Sequence, residues 1–86
     1  MLEMTYYTRK RCPLCDQGKE QVNLALSELR YNDVKMSEVD IDSDDALQEE
    51  YMIRVPVLVH DGNVVQEGII DFAQVYDYLK THVGKQ

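Results

Sequence analysis

The 86-residue chain is short of three things, and each shortage closes off a class of protein. It has two cysteines, where a secreted domain of this size usually carries several disulfides, so a reducing compartment is the default. It is short of base: 9 Lys and Arg stand against 16 Asp and Glu, and the net charge of −7 argues against general nucleic-acid affinity and against anionic membranes. No apolar run approaches the roughly 18 residues that a membrane helix requires. Met1-Leu2-Glu3-Met4 also lacks the cationic start of a leader segment. A cytoplasmic monomer with no nucleic-acid or membrane partner is the expectation.

Composition bounds the rest. With 44% hydrophobic and 29% charged residues the chain has the make-up of an ordinary globule. One domain over residues 1–86 is expected, with its core between about 4 and 82.

The two cysteines sit together in Cys12-Pro13-Leu14-Cys15, where the β-prone run Met4 to Thr8 gives way to a helical pattern. At a helix start this spacing puts Cys12 in the N-cap region and Cys15 in the first turn, so the sulfurs come within bonding reach and the pair can close and reopen. Cys12 then lies at the positive end of the helix macrodipole, beside unpaired N–H groups, and follows Arg9, Lys10 and Arg11. These surroundings favour the thiolate, which is the nucleophile, against the nearby negative charge of Asp16. Pro13 suits the first helical position, where its missing N–H costs nothing. Cys12 is therefore the expected attacking residue.

Plainer readings compete with this one. Zinc needs four ligands, and His60 and His82 are distant in sequence and not in ligand spacing, so no metal site is expected. A purely structural disulfide closing so short a loop removes little unfolded-state entropy. A pair of buried, inert cysteines stays open.

The remaining elements follow from period and punctuation. From Pro13 the apolar positions Leu14, Val22, Leu26 and Leu29, with Gly18 and Ala25 near the same face, predict one helix to about Leu29. Tyr31-Asn32-Asp33 signals a turn, and Val34 to Asp40 a second strand. Asp42 or Ser43 is expected to cap a short helix from Asp44 to about Met52. Asp40-x-Asp42-x-Asp44 does not make a calcium loop, since Asp45 stands where glycine and Tyr51 where glutamate would be needed. Arg54 to His60 and Asn63 to Glu67 flank Asp61-Gly62 as a hairpin, and a cis Val55–Pro56 bond would reconcile proline with a strand beside the first one. Gly68 breaks that strand. Asp71-x-x-Gln74 then resembles a capping box before the apolar face Phe72, Val75, Tyr76 and Leu79, which runs to about His82. Tyr6, Tyr7, Tyr51, Tyr76 and Tyr78 are expected as core or boundary aromatics.

The resulting order, β-α-β-α-β-β-α, with CPxC between the first strand and helix and Val-Pro opening the third strand, resembles the thioredoxin fold. Tyr7-Thr8-Arg9-Lys10-Arg11-Cys12-Pro13-Leu14-Cys15 is similar to the glutaredoxin active-site stretch. Cys-Pro-Leu-Cys, Val39-Asp40-Ile41-Asp42 and Arg54-Val55-Pro56-Val57-Leu58 resemble a small glutaredoxin-like family labelled a domain of unknown function. The resemblance covers residues 4 to about 80. It implies an α/β fold with a four-stranded mixed sheet flanked by helices.

It also implies Cys12 as nucleophile, Cys15 as resolving thiol and Pro56 as the cis-proline beside them, with the backbone of Val55 pairing with an incoming peptide or glutathione. Arg9, Pro13, Leu14 and Gly68 complete the implied substrate-binding set. Leu14 stands where glutaredoxins usually have tyrosine, and Glu67-Gly68-Ile69-Ile70-Asp71 replaces their Gly-Gly and Asp, so Glu67 sets a negative charge where a glutathione carboxylate would bind. The expected activity is thiol–disulfide exchange on protein disulfides or glutathione mixed disulfides, with no bound cofactor. Glutathione is a possible co-substrate, and glutathione or a thioredoxin-type reductase the electron donor. The alternative is a thioredoxin-fold binding module or iron–sulfur carrier without reductase activity.

Overall fold

Alternation along the first strand decides how the sheet is layered. The structure, a computed structural model, describes residues 2–29 and 34–83. In β1 (Leu2–Thr8), Met4 and Tyr6 are buried on one face, while Glu3, Thr5 and Tyr7 point to the other. The chain continues through α1 (Pro13–Leu29), β2 (Val34–Asp40), a 3-10 turn (Ile41–Ser43), α2 (Asp45–Tyr51), β3 (Val57–His60), β4 (Asn63–Glu67) and α3 (Phe72–Val83).

The strands lie in the order β2-β1-β3-β4. β1 runs parallel to β2, from Leu2 opposite Val34 to Thr8 opposite Asp40, and antiparallel to β3, from Met4 opposite His60 to Tyr7 opposite Val57. β4 returns antiparallel to β3. The end of β1, the start of β3 and the end of β4 therefore meet at one edge of the sheet.

Met4 and Tyr6 pack with Leu58 from β3, Val22 and Ala25 from α1, Val75 and Leu79 from α3, and Ile70. This single buried cluster fixes α1 and α3 on one face. On the other, Tyr7 stacks on Tyr51 at the end of α2, ring centroids 4.4 Å apart. Gly18 is required where α1 crosses β1: a Cβ there would overlap the Tyr6 hydroxyl and lie 2.8 Å from Ile70 Cγ1.

The hairpin turn is as the sequence predicts. Asp61 and Gly62 both have positive φ, 53° and 80°, which a two-residue turn of the right twist demands. Three boundaries differ. β3 begins at Val57 instead of Arg54, because the N–H groups of Arg54 and Val55 both donate to Tyr51 O and finish the end of α2, and Pro56 has none to offer the ladder.

Asp44 is the cap of α2 rather than its first residue: its Oδ1 accepts from Ala46 N at 2.8 Å and Leu47 N at 3.2 Å. Asp42 and Ser43, the expected caps, belong to the 3-10 turn, itself capped by Asp40. The box at α3 is half made. Asp71 Oδ2 accepts from Gln74 N, but it is Gln66 from β4, not Gln74, that accepts from Asp71 N. The turn at Tyr31-Asn32-Asp33 lies outside the described residues.

Gly18→Ala is expected to lower the urea unfolding free energy by about 1–3 kcal/mol through overpacking. Asp44→Ala is expected to cost about 0.5–2 kcal/mol for the lost cap. A midpoint for Gly18→Ala equal to that of the parent would show that the crossing has slack.

Candidate active site

The loop after β1 turns sharply into α1. Arg11, at φ 57°, brings the chain round, and Cys12 becomes the N-cap, its carbonyl accepting from Asp16 N at 3.1 Å. Pro13 and Leu14 are exposed on the first turn, and Cys15 comes at its third residue. Cys12 and Cys15 are joined as a disulfide with their Cα atoms 5.1 Å apart. Cys12 Sγ also accepts from Cys15 N at 3.1 Å, so the sulfur occupies the place of an N-cap oxygen. The two sulfurs are unlike in access: Cys12 is half-buried, whereas Cys15 is 1% exposed.

The three cations before Cys12 do not act together. Arg9 turns away to pair with Asp42 across 3.5 Å. With Thr8, Lys10, Asp16, Glu38 and Asp40 it lines an open hollow of about 340 Å³ beside α1. Lys10 and Arg11 stay exposed on the loop.

The segment before β3 reaches the same edge of the sheet. The Val55–Pro56 peptide bond is cis, and Pro56 is buried. The Val55 N–H is already spent on Tyr51 O at 3.0 Å, so it is not free to pair with an incoming chain. Gly68 adopts φ 76°, and its N–H is shared between Arg54 O at 3.2 Å and Pro56 O at 2.8 Å. Its donor therefore serves the loop and is not held out to a ligand.

Arg54 ties this edge together. Its Nε lies 2.8 Å from Glu67 Oε2, its Nη2 3.3 Å from Glu67 Oε1, and its Nη1 2.9 Å from Glu50 Oε1. The guanidinium also sits 5.2 Å from the Tyr51 ring centre. The Glu67 carboxylate is thus not the free negative charge that the sequence implies, and its hydrogen bond to Arg54 holds its pKa below the usual value of 4.5. The sequence puts Arg54 in a strand, beyond the helix that holds Glu50, and Glu67 comes close only because β4 pairs Glu67 with Val57, so neither partner is anticipated from it. Near the cysteines in the chain, and in the segments flanking β3 and β4, large apolar side chains stay exposed: Leu14, Met52, Ile53 and Ile69, with Ile53 92% and Ile69 75% exposed.

His60 and His82, far apart in sequence, meet at the other end of the sheet. Their rings are 5.7 Å apart, His60 Nδ1 meets the Tyr78 hydroxyl, and Tyr78 stacks on His82 at 4.0 Å. They are remote from the cysteines. Among the described residues no group of three or more His, Cys, Asp or Glu is placed to hold a metal, and no helix is long and apolar enough to cross a membrane.

Because Arg54 depresses the Glu67 pKa in the folded state, the stabilisation is present above the unfolded value and is lost as pH falls through the folded one. The difference in urea midpoint between the parent and Glu67→Gln should therefore shrink as pH falls from about 6 to about 3. A difference that stays constant across that range would mean that the charge of Glu67 contributes nothing.

No curated protein matches the chain. Among solved structures it is similar to the protein XcR50 from X. campestris, at 34% identity over 91% of this chain and 96% of that one, with a TM-score of 0.71. Chloroplastic thioredoxin z, at 17% identity, has a TM-score of 0.72 over 94% of this chain and 77% of its own. Thioredoxin-2 of the malaria parasite, at 14%, has 0.67 over 95% and 84%. These likenesses establish the thioredoxin fold. The model of the glutaredoxin-like domain (DUF836) matches residues 3–80, and the chain belongs to that family.

Proposed function

We propose that this chain is a thiol–disulfide oxidoreductase that uses Cys12 and Cys15 as a dithiol. In the reduced form the Cys12 thiolate attacks one sulfur of a substrate disulfide, R–S–S–R′. A Cys12–S–S–R bond forms, and R′–S⁻ leaves and takes up a proton. Cys15 then gives up its proton, attacks Cys12 Sγ and expels R–S⁻. The substrate has gained two electrons as two thiols, and the protein holds them no longer, as a disulfide. A second dithiol, or two molecules of glutathione, returns the pair to thiols.

The observation that carries this reading is the asymmetry of the pair. Cys12 is the reachable sulfur and receives the Cys15 N–H at 3.1 Å, a donor that stabilises a thiolate, while Cys15 at 1% exposure is reached only from Cys12. Protein disulfides are the favoured substrate class. On this reading the exposed side chains of Leu14, Met52, Ile53 and Ile69 would give a substrate chain apolar contact, and Pro13, Val55, Pro56 and Gly68 would line its path. Glutathione, as mixed disulfide or donor, would find Arg9 and Arg54 already paired, so Lys10 and Arg11 are the cations left to its carboxylates. The cytoplasm is the proposed setting, and a monomer suffices for the chemistry.

Alkylation of the reduced protein, followed by mass spectrometry, should give a Cys12 midpoint below the unperturbed value of about 8.5. Cys12→Ser should abolish reduction of a model protein disulfide, and Cys15→Ser should accumulate the Cys12 mixed disulfide. A midpoint at or above the unperturbed value, with partner binding that survives Cys12→Ser, would replace this reading with that of a binding module.

A further inference from the structure

We infer that Tyr6 is a positioning residue for the resolving thiol, a role that rests on the reading of Cys12 and Cys15 given above. Tyr6 is fully buried on the central strand, and its hydroxyl donates to Cys15 O at 2.7 Å. Its backbone is held from both sides, by Glu38 in β2 and Leu58 in β3, so the donor cannot shift without the sheet. Cys15 is consequently gripped twice: its carbonyl by Tyr6 and its N–H by Cys12 Sγ. Those two bonds set the depth and rotation of the first turn of α1, and with them the line along which Cys15 Sγ approaches Cys12.

Two further features fit. Gly18 leaves open the space that the hydroxyl fills, since any Cβ there would meet it. Burial, and then the charges of Glu38 and Asp16, push the Tyr6 pKa well above its ordinary value, so the phenol keeps its proton throughout the range in which thiols titrate. It is a permanent donor. It never serves as the base that takes the Cys15 proton.

The reduced protein is mixed with a bis(nitrobenzoate) disulfide, whose thiolate leaving group absorbs visible light. The first release reports attack by Cys12, and the second reports attack by Cys15 on the Cys12 mixed disulfide. Tyr6→Phe, which keeps the ring and removes the donor, should slow the second release about two- to tenfold relative to the first, the factor a typical net hydrogen bond is worth. A ring-fluorinated tyrosine at position 6, which keeps the donor, should restore the parent ratio. Gly18→Ala pushes against the hydroxyl and should lower the ratio in the same way, which keeps the inference open to test if the phenylalanine variant folds poorly.

An unchanged ratio in both variants, with only the unfolding midpoint lowered, would make Tyr6 a packing residue and overturn the inference while leaving the proposed activity intact. Failure of the parent protein to release two equivalents would instead remove the activity on which the inference rests.

Discussion

The first turn of α1 has to lie flat on the central strand, and most of the molecule can be understood from what that contact requires. Tyr6 reaches up from β1 to the carbonyl of Cys15, Gly18 one turn later gives the hydroxyl room, and Ile70 closes the gap from the segment before α3. A polar group this deep is tolerated because it is bonded; among the described residues no buried side-chain polar atom lacks a partner. The same contact buries Cys15 while Cys12, three residues earlier at the cap, stays within reach of solvent. Packing and chemistry are set by one crossing.

A second constraint governs the opposite wall of the site. The loop from α2 to β3 turns back on itself, with two N–H groups donated to one carbonyl, and Arg54 spans from Glu50 at the end of α2 to Glu67 at the end of β4. Such a surface network contributes little to stability when its pairs are exposed. Its effect is on geometry and charge: it pairs Glu67 with a cation, while Ile53 and Ile69, in the segments on either side of β3 and β4, stay largely exposed.

What could be read from the chain alone was what depends on near neighbours. The period of α1, the Asp61-Gly62 hairpin and the length of β4 follow from residues within a few positions of one another. Boundaries failed where a distant or competing partner took over. Asp44 displaced Asp42 and Ser43 as cap because the 3-10 turn used those residues first, and Gln66 displaced Gln74 at α3 because β4 passes beside it. The two histidines were set aside as far apart, and the strand pairing of His60 with Met4 brings His60 to α3, where His82 lies.

By itself the sequence determined the order of the elements and the presence of a cysteine pair at a helix start, because spacing, capping and turn chemistry are local properties. Only the tertiary structure decided which sulfur is exposed, which cations remain free and which phenol bonds to the pair. Arg9 looked like an activating charge until Asp42 claimed it, and Tyr6 looked like any core aromatic until α1 was laid across it. Those outcomes depend on strand register and helix crossing, which bring together residues that share no local pattern.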